Sequence, residues 1–524
     1  MSMNYAFCFS LFLLILVGIN IYFFYTLNTV QKQGKSFNIP SLKSDAPPGV
    51  FKEIYQYLNY LPSPYKQRNS KFTYIQKNLM QSFNSTNVMD PVNVLANVLT
   101  WASDELLFPH KNGMAGKILR AMRTSQIVLV DNAPKGTQLK MMVLLEGKQK
   151  LYFKPKRYQL GDIINGNIYA GFDRHNSEVF AYYLAMVLNF TWITPSVIRR
   201  IHINNDILPV ATEGLKKTMV KNESGSMCIY GKCYYCKVNE TVCPDSRGEI
   251  EGAAILYLDK QFKIYKSPWR RSYTSRKMEW EKDNNFCKKI ISTYSSKRLL
   301  NLIDVAIFDF LIQNGDRHRY EVYKDRILLL DNGKGLGNPN VDELDILAPL
   351  YQCCMLSSST WQHLEMLSGG SLTETVKLLS AFQDEKLATE DHYKAVERRL
   401  LKVYATVQYC IGKYSSAKVS SMKLYSRAID VGNELTLPDG LLELSTKMMI
   451  SQFHPLCQIF NEISQDHLIQ RDCLNMSRIR IPNSIKAHML FYYNFYIPTS
   501  ARVCNEHNGS RLGPVANRQC LPII

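Results

Sequence analysis

The stretch NLIDVAIFDFLIQNGDRHRYEVYKDRILLLDNGKGLGN, Asn301 to Asn338, decides how the rest of the chain is read. Leu302, Ile303, Ala306, Ile307, Phe310 and Leu311 recur at helical spacing, so Asn301 to Gln313 is expected as a buried helix. Asn314-Gly315 supplies a stop signal. Asp316 then leaves on a tight loop beside Arg317, His318 and Arg319. Those cations would keep its carboxylate ionised and could meet phosphate. Ile327 to Leu330 is a short apolar run ending at Asp331, which precedes the loop Asn332-Gly333-Lys334-Gly335. An acid at the end of a buried strand is costly unless a metal or a partner pairs it. A loop acid after a helix and an acid at a strand end are how phosphoryl-transfer enzymes place a base and a metal ligand.

Working outward, Lys140 to Leu145 and Lys150 to Lys154 read as strands joined by Glu146-Gly147-Lys148-Gln149, a hairpin signal. Ser125 to Val130 is a further strand. Lys154 stands at a strand end among apolar neighbours, the setting in which a kinase-like lobe holds nucleotide phosphates. Next, Asp173-Arg174-His175-Asn176-Ser177-Glu178 opens an apolar helix whose core face is Val179, Tyr182, Tyr183, Met186 and Val187. Glu178 in its first turn is either a helix-dipole partner, worth about 0.3–1 kcal/mol, or the helical acid facing that lysine. With Asp331 it would form an all-oxygen site suited to magnesium or manganese. Helices are expected over Glu343 to Cys354, Thr360 to Leu367, Leu372 to Phe382 and Tyr393 to Ile411. Pro91 to Leu99 is another, with Asp90 as N-cap.

Composition bounds the setting. The 524 residues carry a net charge of +18, with 46% hydrophobic and 21% charged residues. That is ordinary globular composition with an excess of cations suited to an anionic partner. No zinc-finger ligand pairs or aromatic ribonucleoprotein signature occur, so nucleic acid is not the expected partner. Met1 to Gln31 lacks charged side chains, and Tyr5 to Leu27 is long and apolar enough to span a bilayer. A signal anchor is preferred over a cleaved signal peptide. Lys32 and Lys35 alone would put the following chain in the cytosol. Six sequons, at Asn84, Asn189, Asn222, Asn239, Asn475 and Asn508, and thirteen cysteines point instead to the lumen. Of the sequons, all but Asn189, at a helix end, are taken as glycosylation sites. The cluster Cys228, Cys233, Cys236 and Cys243 lacks the second close pair of a zinc site, so disulfides are expected.

Asp316-Arg-His-Arg-Tyr-Glu321, Leu330-Asp331-Asn-Gly-Lys-Gly-Leu-Gly337, Ile346-Leu-Ala-Pro-Leu-Tyr-Gln-Cys-Cys354, Asp173-Arg-His-Asn-Ser-Glu178, Phe153-Lys-Pro-Lys-Arg-Tyr158 and Cys228-Ile-Tyr-Gly-Lys-Cys-Tyr-Tyr-Cys236 together resemble the secretory-pathway kinases of the "family with sequence similarity 20". The resemblance runs from about Lys135 to Cys410. It implies an α+β, atypical protein-kinase-like two-lobed fold, stapled by disulfides behind an N-terminal membrane anchor. The divisions expected are 1–31 anchor, 32–103 lumenal stem with short helices, 104–258 N-lobe including the cysteine cluster, 259–414 C-lobe and 415–524 an extension of unknown fold.

The same resemblance implies transfer of the γ-phosphate of ATP in the Golgi lumen, with manganese and with magnesium as the alternative. Asp316 would be the catalytic acid-base. Asp331 and Glu178 would be the metal ligands, with Asp331 also touching nucleotide. Gln138, Lys154 and Glu321 would line the ATP site, and Ile255, Leu256, Tyr257 and Leu258 would be the adenine-side hinge. The implied disulfides are Cys228–Cys243, Cys233–Cys236, Cys287–Cys353 and Cys354–Cys410. The family includes a pseudokinase without the helix acid; Glu178 is present here, so activity is expected. Arg319 and Leu336 depart from the family's usual His and Phe.

Phe153 to Tyr158, the Cys233–Cys236 gap and Ala348 to Cys353 look like the xylosylkinase branch; Pro268 to Tyr273 and Asp331 to Gly335 look like the protein-serine kinase branch. The first is preferred. The implied partners are the proteoglycan linkage-region glycan or, alternatively, serines of secreted proteins. Also implied are a Golgi membrane reached through a type II anchor, or secretion after cleavage, and a homodimer or a heterodimer with a related kinase. A pseudokinase that activates a sister kinase is the remaining alternative.

Overall fold

The computed structural model describes residues 49–84, 91–96, 107–109, 113–274 and 276–415, with 502–503 and 521–522. Its helices begin with α1 (Val50–Asn59), α2 (Phe72–Phe83), α3 (Pro91–Ala96) and α4 (Met114–Thr124). The strands β1 (Ile127–Asn132), β2 (Met141–Leu145) and β3 (Lys150–Pro155) precede α5 (His175–Val187) and β4 (Ser196–His202). A short helix α6 (Glu213–Lys216), the hairpin of β5 (Met219–Lys221) and β6 (Met227–Ile229), and β7 (Glu249–Leu256) complete the N-lobe. One antiparallel sheet runs in the order β1-β2-β3-β7-β4. The β2–β3 connection is a three-residue loop: the Leu145 N–H donates to the Gln149 carbonyl at 2.8 Å and the Lys148 N–H to the Leu145 carbonyl at 3.1 Å, with Gly147 and Lys148 at φ 83° and 68°.

Helix α5 differs from its reading. One apolar face was expected, yet every residue from His175 to Val187 is buried. The helix lies against β4 and β7 on one side and against C-lobe helices on the other. An element sandwiched between two layers is apolar all round, which blunts its periodicity.

The C-lobe contains the edge strand β8 (Lys263–Lys266), α7 (Phe286–Thr293), α8 (Ser296–Ile312), β9 (Arg319–Tyr323), β10 (Arg326–Leu328), α9 (Ala348–Cys353), α10 (Ser358–Met366), α11 (Ser371–Ala381) and α12 (Glu390–Ser415). A separate two-residue ribbon, β11 (Arg502–Val503) with β12 (Leu521–Pro522), lies in the C-terminal unit that starts at Glu434. The Ser295 hydroxyl accepts from the Arg298 N–H and caps α8. The helix ends in a Schellman turn: Gln313 takes the left-handed position at φ 61° and donates its N–H to the Phe310 carbonyl at 3.1 Å, while the Asn314 N–H donates to the Asp309 carbonyl at 2.7 Å. Strand β10 stops two residues early. The Leu329 N–H leaves the ribbon and donates to the Trp192 carbonyl at 2.9 Å, drawing the chain before Asp331 under the N-lobe.

Residues 50–83 carry the short helices expected of the stem, and these pack against the rest of the fold. Helix α1 packs along α12, and α2 packs on α11 and α4. Ile54, Phe72 and Phe83 are fully buried. Tyr65 stacks between Trp361 and Tyr404, at ring separations of 5.9 and 5.0 Å. Pro62, Pro64 and the polar run Lys66 to Lys71 break its apolar residues into two short stretches, which disguises the segment in the sequence.

All four implied disulfides are present: Cys228–Cys243, Cys233–Cys236, Cys287–Cys353 and Cys354–Cys410. Neighbouring Cys353 and Cys354 tie the end of α9 to α7 and to α12. No helix among the described residues is long and apolar enough to cross a membrane. The expected anchor (1–31), the Asp90 cap, and Asn475, Asn508 and the C-terminal cysteines lie outside the described residues. Asn84, Asn222 and Asn239 are exposed; Asn189 follows α5 directly, at φ 59°.

Candidate active site

Lys154 is the hub. It stands on β3 opposite Ala253 of β7, buried, with its ammonium held by three carboxylates. Glu178 Oε1 lies at 2.6 Å, Asp331 Oδ1 at 2.5 Å and Asp173 Oδ2 at 2.9 Å. Burial disfavours the Lys154 ammonium, but Asp173, Asp331 and Glu178 more than offset this, so its pKa lies well above the ordinary lysine value. Lys154 holds the Asp331 carboxyl well below the usual range. Burial pushes Glu178 up, against the pull of Lys154.

Asp173 is the member that sequence reading passed over. It precedes α5, five residues before Glu178, and the only signal was an acid at the mouth of an apolar helix. Oxygens of Asp173, Glu178 and Asp331 lie within 4.8 Å of one another. Asp331 opens to solvent, with 79% of its side chain exposed, while Glu178 is sealed. Three carboxylates with one open side fit a hard divalent cation such as manganese or magnesium.

The loop after Asp331 is clamped to the start of α5. The Arg174 N–H donates to the Gly333 carbonyl at 2.7 Å, and its guanidinium to the Gly335 (2.6 Å) and Lys334 carbonyls. Burial lowers the Arg174 pKa to about 10, which leaves it cationic at neutral pH. Glu178 Oε2 accepts the Asn332 N–H at 3.0 Å, and the Ser177 hydroxyl donates to the Asn332 carbonyl at 2.7 Å. A Cβ on Gly333 would come within 2.8 Å of Asp173, and one on Gly335 within 2.5 Å of the Ser177 hydroxyl. Only glycine permits so close an approach. Asp331 itself sits at φ 58°, a left-handed conformation that this net of bonds enforces.

Asp316 stands on the opposite, C-lobe wall. Its N–H donates to Asn314 Oδ1 at 3.2 Å, an Asx turn made by Asn314. Its carboxylate Oδ1 accepts from the Tyr273 hydroxyl. Lys334 lies in the combined field of Asp173, Asp316 and Asp331, which places both walls about one cleft. Arg317 does not reach phosphate, contrary to its reading. It is buried, bound to both oxygens of Asp309 (2.6 and 2.8 Å), to the Leu330 carbonyl and to Asn332 Oδ1 at 2.7 Å. Its role is to fasten the Asp316 loop to the Asp331 loop. A buried guanidinium needs such partners, and Asp309 on α8 provides them.

The remaining expected residues are spread along the cleft. Glu321 on β9 is partly buried, raised by its burial, and within the fields of Arg317 and Asp331. Gln138 borders a small depression with Phe172, Cys233 and Cys236. Lys140, two residues on, lies in the fields of Lys154 and Asp331 and carries a pKa lowered by burial. Ile255 and Leu256 are buried in β7, facing Tyr152 and Leu151. The Tyr257 N–H donates to the Lys150 carbonyl at 3.0 Å and its own carbonyl accepts from Gln149 at 3.1 Å; Leu258 is buried.

Residues 93–419 match the family model "Fam20C: Golgi casein kinase, C-terminal, Fam20". A glycosaminoglycan xylosylkinase homolog of Drosophila melanogaster is 40% identical over 404 residues, covering 75% of this chain and 93% of that one. A solved structure of hydra Fam20 with sugar superposes with a TM-score of 0.58 at 37% identity, over 64% of this chain and 98% of that one. The Golgi casein kinase with Mn/ADP bound gives the same TM-score, 0.58, at 26% identity, over 73% and 96%.

Proposed function

The chain belongs to the Fam20 kinase family, and from that premise we propose that it uses ATP to phosphorylate a xylose hydroxyl in the glycosaminoglycan–protein linkage region. The observation that carries this reading is the 40% identity with a glycosaminoglycan xylosylkinase homolog, spread over nearly the whole of that protein. The intact acids Asp173, Glu178, Asp331 and Asp316 set it apart from a pseudokinase.

In this reading Asp316 accepts the proton of the acceptor hydroxyl as the hydroxyl oxygen forms its bond to the γ-phosphorus. The bond from that phosphorus to the β–γ bridging oxygen breaks, and ADP leaves. Lys154 and Lys140 bring positive charge to the phosphate side of the cleft. Asp173, Glu178 and Asp331 would hold a divalent cation, manganese or magnesium, which supplies charge compensation on the phosphate oxygens when bound. Glu321 and the segment Ile255 to Leu258 border the nucleoside end, and Gln138 the phosphate end. The setting proposed is the Golgi lumen, behind a type II anchor at 1–31, with a related kinase as a dimer partner.

The test is incubation of the purified lumenal chain with a galactosyl-xylose acceptor, manganese and labelled ATP. Label should enter the sugar. Strong labelling of casein with an unlabelled sugar would overturn the reading in favour of a secreted-protein serine kinase.

A further inference from the structure

The Asp316 carboxylate is not free to turn. The Tyr273 hydroxyl donates to its Oδ1, and His318 Nδ1 stands 2.9 Å from the Tyr273 oxygen and 2.9 Å from the Asp316 carbonyl oxygen. The His318 N–H also donates to that carbonyl at 2.7 Å. Asp316 Oδ2 has no protein hydrogen bond among the described residues. The Tyr273 ring is 54% exposed, an unusual state for an aromatic ring whose hydroxyl is committed to a catalytic acid. Tyr169, from the loop before α5, meets it edge-on at 4.9 Å between ring centres.

Two rings at right angles beside a carboxylate make a corner. An aromatic face offers apolar area to the C–H side of a pyranose ring while the sugar's hydroxyls remain free for the acid. Neither ring belongs to the hydrophobic core. They come from the 159–172 and 267–278 segments, outside the elements that hold the phosphates.

We propose that Tyr273 is a positioning residue: with His318 it holds Asp316 by Oδ1 and leaves Oδ2 for the acceptor hydroxyl, and its ring forms with Tyr169 the wall on which the acceptor's sugar ring rests. This rests on the xylosylkinase reading above for the identity of the acceptor alone. The orienting contact stands for any hydroxyl acceptor.

The test compares wild type, Tyr273→Phe and Tyr273→Ala in steady-state kinetics with galactosyl-xylose and manganese–ATP, with thermal shift by manganese–ADP as a check on fold and nucleotide site. Phe keeps the wall and removes the hydroxyl, so kcat should fall about tenfold, the scale of a misoriented catalytic group, with the acceptor KM unchanged. Ala should show the same fall in kcat and, in addition, a several-fold higher acceptor KM. Both should keep the wild-type ADP shift. Wild-type kcat in Tyr273→Phe would overturn the orienting role, and an unchanged acceptor KM in Tyr273→Ala would overturn the sugar wall. If wild type labels only casein, the xylosylkinase reading fails separately. The sugar wall then falls with it, and the kcat of Tyr273→Phe on casein decides the orienting role.

Discussion

At the scale of single residues the cleft divides its acids by environment. Asp331 is exposed but pinned by Lys154, Glu178 is buried, and Asp173 shares the same ammonium. Asp316 stands apart from all three. Substitution should therefore separate binding from chemistry. Asp316→Ala should lower turnover by about 10²–10⁴-fold, the usual worth of a general base, and leave manganese–nucleotide binding intact in calorimetry. Asp331→Ala should abolish both. Asp173→Asn should weaken manganese binding about tenfold or more, in the range for residues that support a metal site. Equal retained activity in the first two would show that the roles are misassigned. Asp316, Asp331, Glu178 and Lys154 were legible because each sits at a punctuation mark: a turn, a strand end, a first helical turn, a strand edge. Asp173 and Tyr273 were not: Asp173 meets Lys154 from 19 residues away and Asp331 from 158, and Tyr273 meets Asp316 from a loop without periodicity.

At the scale of elements, α8 carries an acid with no catalytic part. Burial raises the Asp304 carboxyl to about 7, and its Oδ1 is sealed without a partner. A raised folded-state pKa means that the fold binds the proton more tightly than the unfolded chain. Stability from this group is full below about pH 4, falls as pH rises, and is lost above about pH 7. Asp304→Asn should remove that slope, so the variant's stability advantage, measured by denaturant unfolding, should grow between pH 4.5 and 7 and level off beyond, reaching about 2–4 kcal/mol. The glycine loop makes the opposite demand. Gly333→Ala would push a methyl into Asp173, and activity should drop at least tenfold with little change in secondary structure by circular dichroism. The sequence showed where α8 and the β2–β3 hairpin lie, since period and turn chemistry are local. It overran β10 by two residues, because the Trp192 carbonyl, far away along the chain, takes the Leu329 N–H.

At the scale of the whole molecule, the segment read as a stem is part of the fold. Ile54 on α1 is fully buried, and Phe51 meets the Tyr351 ring at 5.8 Å. Ile54→Ala should cost about 2–4 kcal/mol, visible as a lower midpoint in denaturant. Were 32–103 a tether only, that change would be silent. Opening Cys354–Cys410 with a double serine substitution should cost a similar 2–4 kcal/mol, since it frees a loop of 56 residues in the unfolded chain. Composition signalled the disulfides, but the packing of α1 and α2 escaped notice because their buried residues are few and their partners lie some 300 positions downstream.

The clamp of Arg174 on the carbonyls of residues 333 to 335 has a pharmacological consequence. Many kinases toggle by swinging the metal-binding acid of this loop outward, and a class of inhibitors occupies the space it vacates. Here the acid is followed by backbone tied at Asn332, Gly333, Lys334 and Gly335 to the first turn of α5, and at Leu336 to the end of α8. Swinging it out would break at least five bonds at once. Compounds built to trap an outward acid should find no foothold, whereas compounds that compete with nucleotide in the standing cleft should. The enzyme's output would then follow the supply of acceptor and donor in its compartment, with no toggle in this loop to throttle it.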